Sequence, residues 1–162
     1  MRVVLGSFTM QNALGILYRR VAGRGVICAH FDTKINTPGA RDNAVGVAVL
    51  LELARRYGVE VWNGVCRVQW EEYLPIGDDE YLRKADSYFS DIRYAINLDG
   101  MGPMLAFTSL TALSMPEAVQ TSLKEMLVDF PGVVWVEPLY ESNHSSFAMR
   151  GVPALAVGAG GP

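Results

Sequence analysis

Gly25-Val-Ile-Cys-Ala-His-Phe-Asp32, followed by Pro38-Gly-Ala-Arg-Asp-Asn-Ala-Val-Gly46 and then Val47-Ala-Val-Leu-Leu-Glu-Leu53, is the stretch on which the fold turns. Its first part is a short apolar run bounded by turn residues, the pattern of a buried strand, and it ends in His30 and Asp32. Pro38-Gly39 marks a loop. From Asn43 to Tyr57 the pattern changes to a helix that is almost continuously apolar through Leu53. A helix apolar on nearly every side packs on a sheet and does not lie at the surface. Its basic end, Arg55-Arg56, suits the negative C-terminal pole of the helix dipole.

Upstream, Val3–Met10 and Leu14–Arg19 are β-rich, and with Gly25–Phe31 they predict a meander turning at Gln11-Asn12 and Ala22-Gly23-Arg24. Downstream the reading is a strand at Val65–Trp70, a helix near Asp79–Lys84, a strand at Tyr94–Leu98 and an extended piece at Met104–Phe107. Pro116–Phe130 reads as an amphipathic helix with Pro116 in its first turn. A short strand at Val133–Val136, a polar loop at Glu137–Ser146 and a final strand at Pro153–Val157 follow, with Gly158–Gly161 read as a loop. There is no internal repeat, charge block or low-complexity segment. This alternation predicts an α/β domain over residues 1–162: a mixed, mostly parallel central sheet flanked by helices.

The bulk numbers fit one folded domain. The chain has 162 residues, 50% hydrophobic and 19% charged, which argues against disorder. A net charge of -3 leaves no basic footprint for nucleic acid. Cys28 and Cys66 both sit in apolar strand-like runs and are expected to be reduced core residues, too few for a disulfide framework. The N-terminus lacks an apolar signal core, and no apolar run is long enough to span a bilayer. The expectation is a protein with no membrane partner, cytoplasmic by default, although secretion is not excluded.

The acids and histidines fall at particular places on this map. His30 and Asp32 end a strand, Asp42 stands just before the buried helix, and Glu71-Glu72 follow Val65–Trp70. Asp99 follows Tyr94–Leu98, and His144, one of only two histidines, precedes the last strand. Open α/β sheets bind their ligands outside the carboxyl ends of the strands. Singly, each residue has a plain structural reading. Asp42 reads as an N-cap, Glu71-Glu72 as a solvated strand end, Asp99-Gly100 as a turn, His144 as an exposed loop residue, and Asp32 as a backbone hydrogen-bonding group. Jointly they set metal-capable side chains on three strand ends.

The order of these pieces resembles a known family, the co-catalytic zinc aminopeptidases of metallopeptidase family twenty-eight, of the bacterial leucyl aminopeptidase kind. The resemblance rests on His30-Phe31-Asp32, Gly39-Ala40-Arg41-Asp42-Asn43-Ala44-Val45-Gly46, Trp70-Glu71-Glu72, Asn97-Leu98-Asp99, Ser142-Asn143-His144 and Gly151-Val152-Pro153-Ala154, in that order. It implies a zinc-exopeptidase-like architecture, shortened at both ends and without the helical segment that follows the last strand. It implies two zinc ions, with cobalt or manganese as possible substitutes. Asp42 would bridge them, His30 and Asp99 would complete one site, and Glu72 with His144 the other. Glu71 would be the general base, and Asp32 would orient the His30 ring.

Arg41, Val45 and Asn143 depart from the family pattern, where an acid, a serine and an aspartate are frequent; none of these changes removes a ligand. The expected activity is metal-dependent hydrolysis of a peptide or amide bond, with an N-terminal residue released from a peptide or small aminoacyl substrate. The alternatives are a related amidohydrolase or glutaminyl cyclase, or a non-catalytic binding or scaffold domain derived from such an enzyme. A homo-oligomer that covers an exposed sheet face is a further expectation.

Overall fold

In a computed structural model of the chain, Arg24–His30 forms β2, close to the middle of a seven-stranded sheet. The structure describes residues 13–17, 23–61, 64–69, 72, 76–85, 89–102 and 107–160. The remaining strands are β1 (Ala13–Leu17), β3 (Gly64–Gln69), β4 (Ile92–Asp99), β5 (Phe107–Leu113), β6 (Val133–Trp135) and β7 (Ala154–Gly160). The helices are α1 (Val45–Val61), α2 (Ile76–Lys84), α3 (Glu117–Met126) and α4 (Asn143–Ala148).

The strand order is β1-β3-β2-β4-β7-β5-β6. Pairings β3–β2, β2–β4, β4–β7 and β5–β6 are parallel, whereas β1–β3 and β7–β5 are antiparallel. The sheet is therefore mixed and mostly parallel, as expected. The expected meander is not formed, because β1 pairs with β3 and β2 lies on the far side of β3. The physical reason is burial. Val26, Cys28 and Ala29 on β2 are fully enclosed, which requires a partner strand on each edge and cover on both faces. Ala13 to Gly15 on β1 are exposed, as suits an edge. Val3–Met10 lies outside the described residues.

Side-chain alternation divides the core into two layers. Val26 and Cys28 of β2 and Ala95 of β4 pack with Tyr81, Leu82 and Phe147 from α2 and α4. Ala29 and Leu98 point the other way, onto Leu50, Val47 and Leu53 of α1. Because period two continues to the strand ends, His30 and Asp99 share the face that carries α2 and α4. Register then sets them side by side. Cys28 pairs with Asn97, so two residues further on His30 stands beside Asp99. Cys28 is buried and unbridged, and Cys66 has no described side chain.

Three expectations are corrected here. Thr108 to Leu113 belongs to β5, beyond the Met104–Phe107 piece, of which only Phe107 is described. The polar loop gives way at Asn143 to a buried short helix. Gly158 to Gly160 continue β7 and are not a loop. Among the described residues no helix is long and apolar enough to cross a membrane.

Candidate metal centre

The candidate residues approach one another because three parallel strands end at the same edge. His30 is the last residue of β2, Asp99 the last of β4, and Glu72 follows β3. Asp42 arrives from the turn Ala40–Ala44 that leads into α1. That turn is non-helical at Asp42 (φ −124°, ψ 86°) and Asn43 (φ −140°, ψ 38°), and the peptide between them is cis.

Asn43 fixes this turn to the sheet. Its buried amide donates to the Leu98 carbonyl at 2.8 Å, and its Oδ1 accepts from the backbone N–H groups of Gly46 and Gly100, both at 3.2 Å. Asp42 is thereby held against the end of β4. Gly46 is required by the same bracket, since a Cβ there would lie 2.6 Å from the Leu98 carbonyl oxygen and collide with the Asn43 amide. The motif reading treated Asn43 and Gly46 as the opening of a helix; the geometry makes them the brace of the site.

His30 is almost completely enclosed. Its Nδ1 faces the Asp32 carbonyl at 3.1 Å and Asp32 Oδ1 at 3.5 Å. A carbonyl only accepts, so the proton sits on Nδ1. The lone pair on Nε2 then faces Asp42 Oδ1 at 3.0 Å and Asp99 Oδ1 at 3.1 Å. A lone pair crowded by two carboxylate oxygens is stable only with a cation among them, either a second proton or a metal ion. Asp32 has a further task, because its Oδ2 accepts the Glu72 backbone N–H at 3.0 Å and ties the loop after β2 to the loop after β3.

His30, Asp42 and Glu72 offer ligand atoms that all lie within 4.8 Å of one another. Glu72 Oε2 meets Lys34 Nζ at 3.3 Å, while its Oε1 is buried with no hydrogen-bond partner among the described residues. Leaving a carboxylate oxygen dry and unpaired costs several kcal/mol unless something else binds it. This orphaned oxygen and the imidazole–carboxylate donor set fit a zinc-type ion.

Burial pulls the Asp99 carboxyl upward. In the metal-free protein the hydrogen bond from His30 bearing its second proton, with that from Ser142, outweighs it and leaves the group below its ordinary range. Ser142 Oγ donates to Asp99 Oδ2 at 2.7 Å and itself accepts from the Asn97 amide at 2.9 Å. Ser142 is a contributor that sequence reasoning named only as part of a motif.

His144 is not part of the three-residue cluster. It is fully buried in α4, with its Nε2–H donated to the Leu139 carbonyl at 2.7 Å and its Nδ1 left without a partner. Burial pushes its pKa down, opposed by the Leu139 carbonyl and by Asp99 and Asp78, so the ring is held neutral with a bare Nδ1. Glu71 lies outside the described residues, as do Tyr73 to Pro75.

Two cavities flank the cluster. One, of about 330 Å³, is lined by Lys34, Thr37, Arg41, Asp42 and Glu72 among others. The second, of about 210 Å³, holds Asp99, Ser142 and His144, and Arg41 reaches it as well.

The sequence profile of Peptidase family M28 matches residues 20–161. The chain belongs to this family. Its fold is also that of several solved enzymes. A glutaminyl cyclase from an Acidobacteriales bacterium is 20% identical with a TM-score of 0.74, over 91% of this chain and 57% of that one. The zinc aminopeptidase BSAP from Bacillus subtilis is 22% identical with a TM-score of 0.75, over 93% of this chain and 40% of that one. An aminopeptidase from Aneurinibacillus is 23% identical with a TM-score of 0.73, over 91% and 38%. At these identities the likeness is one of fold, and the chain spans between about two fifths and three fifths of these enzymes. No curated protein sequence matches.

Proposed function

We propose that this chain hydrolyses a peptide or amide bond, as an aminopeptidase that releases N-terminal residues using two zinc ions. The observation that carries the reading is the convergence of His30, Asp42 and Glu72, with Asp99 against His30 Nε2, at the carboxyl ends of three parallel strands in a chain of Peptidase family M28. Asp42 would be shared between the ions. His30 Nε2 and Asp99 would hold one, and Glu72 with the bare Nδ1 of His144 the other. When bound, the metal pair supplies a water of lowered pKa and polarises the scissile carbonyl. The protein's own part is to position and to move protons. Asp32 keeps the His30 proton on Nδ1, which leaves Nε2 free as a ligand. The Glu71 carboxylate would take the proton of the attacking water and return it to the leaving amine.

A second reading within the same site is cyclisation of an N-terminal glutamine. It is supported by the glutaminyl cyclases among the fold neighbours, matched with TM-scores of 0.74 and 0.73 beside 0.75 and 0.73 for two of the aminopeptidases. Panels of aminoacyl and glutaminyl substrates separate the two reactions.

The first test is elemental analysis of purified, chelator-free protein with Asp42→Ala beside it. About two zinc equivalents in the wild type, both lost in the variant, is the expected result. A folded, zinc-supplemented protein that binds no stoichiometric metal would overturn the hydrolase reading in favour of a non-catalytic binding domain. Loss of one equivalent alone would remove Asp42 from its bridging role.

A further inference from the structure

We propose that Arg41 binds a carboxylate of the substrate, so that this site prefers substrates bearing a free carboxylate near the reacting bond; the inference rests on the hydrolase reading above. Three observations carry it. First, Arg41 is the one described residue that lines both cavities flanking the metal cluster. Second, no described residue pairs with its charge. Lys34 pairs with Glu72, Arg55 and Arg56 with Glu52, Arg83 and Lys84 with Glu80, and Arg150 with Asp79. Arg41 makes no ion pair or hydrogen bond with any described residue, although Asp42 is its neighbour in sequence. Third, most of the nearby carboxylate oxygens face other groups. Asp42 Oδ1 and Asp99 Oδ1 face His30, Asp99 Oδ2 accepts from Ser142, and Asp32 Oδ2 accepts from Glu72.

A guanidinium that stands among carboxylates and pairs with none of the described ones can take an external anion. Its planar fork matches a carboxylate in two parallel hydrogen bonds. In the zinc-loaded centre the ions offset the charges of Asp32, Asp42, Glu72 and Asp99, so the carboxylates no longer set the sign of the site. An arginine that lines both cavities then adds a local attraction for a carboxylate seated against it. The carboxylate has two possible sources, an acidic side chain on the residue being released or the free C-terminus of a short peptide.

Calorimetric binding to the zinc-loaded chain distinguishes them. The ligands are reduced-amide dipeptides, with CH2–NH in place of the scissile amide, in two matched pairs: leucyl-glycine against its C-terminal carboxamide, and glutamyl against glutaminyl with the C-terminus amidated. Wild type should bind the carboxylate member of one pair about tenfold more tightly, the worth of a charge-assisted contact. Arg41→Gln should bring that ratio to about one, and Arg41→Lys should keep only part of it. Equal binding within both pairs by wild type, or an unchanged ratio in Arg41→Gln, would sink the proposal. Cleavage of the matching amides without carboxylate preference removes Arg41 and leaves the hydrolase. A preference lost in Arg41→Gln without any turnover keeps the anion site and removes the hydrolase, and failure to bind any of the four ligands overturns both.

Discussion

The two histidines are both buried, at 1% and 0% exposure, yet they are held in opposite ways. His30 ends a central parallel strand, and oxygen atoms face both of its ring nitrogens. His144 sits in a six-residue helix, with one nitrogen satisfied by the Leu139 carbonyl and the other by nothing among the described residues. Strand register fixes the first; tertiary hydrogen bonds fix the second. Asp78 of α2, itself buried, accepts the Asn143 amide at 3.1 Å and the Ser146 hydroxyl at 2.9 Å, and so braces the helix that carries His144. On the two-zinc reading, one half of the centre would be assembled by the sheet and the other hung on it by α4 and its tertiary contacts. The sheet-built half should then bind metal more tightly.

The strongest way to break that comparison is to remove each imidazole in turn. His30→Ala should weaken the tighter zinc by more than the roughly 10–100-fold that loss of an outer hydrogen-bond partner costs. His144→Ala should leave about one equivalent bound. Zinc titration with a competing chelator measures both. Equal loss in the two variants would show that the halves are not distinct, and two equivalents retained by His144→Ala would take His144 out of the ligand set.

The next largest effect concerns the brace of the sheet-built half. Gly46→Ala puts a methyl group where the Leu98 carbonyl and the Asn43 amide already stand. Overpacking of this kind costs about 1–3 kcal/mol. The displacement should also move Asp42 relative to His30, so urea midpoint and zinc affinity should fall together. A variant of wild-type stability and affinity would mean that the turn before α1 relaxes freely, and that Asn43 does not set the position of Asp42.

The same contrast decides what could be read from the sequence. The sheet-built half was legible because parallel strands buried on both faces appear as continuous apolar runs, and their ends carry the acids and His30. Asn43–Tyr57 read as a helix for the same reason, although Asn43 itself turns out to be non-helical because its amide serves Leu98 and Gly100. For the hung half the resemblance names His144, but its burial in a helix has no local signal. Asn143-His144-Ser145-Ser146 looks like a surface loop, and its burial depends on Asp78 and Leu139, whose partnership no local pattern reveals. Strand β5 was missed because Thr108, Ser109 and Thr111 interrupt its apolar pattern, although Thr111 is buried and donates to the Glu137 carbonyl. Gly158 read as a loop glycine. It lies within β7, paired with Asp99 of β4, and glycine fits there because a Cβ would stand 2.9 Å from the Asp99 carbonyl oxygen.

The smallest and sharpest test lies where the two halves meet. Ser142 is the residue before α4, and its hydroxyl links the Asn97 amide to Asp99. Ser142→Ala deletes one donor to a carboxylate, a loss of about 0.5–1.5 kcal/mol for a partly exposed hydrogen bond. The direction follows from the balance at Asp99, where burial raises the pKa and the His30 and Ser142 hydrogen bonds lower it. With one lowering contact gone, the folded-state pKa of Asp99 rises toward its unfolded value. A depressed carboxylate contributes stability that is present above the unfolded pKa and lost as pH falls through the folded one, so metal-free Ser142→Ala should lose less stability on acidification than wild type. Zinc release should move the other way, because Asp99 must be ionised to act as a ligand, and the half-release pH should shift upward. A variant whose zinc release and acid stability both follow the wild-type curves would show that Ser142 does not couple the halves. The tie between α4 and β4 would then rest on the Asp78 brace alone.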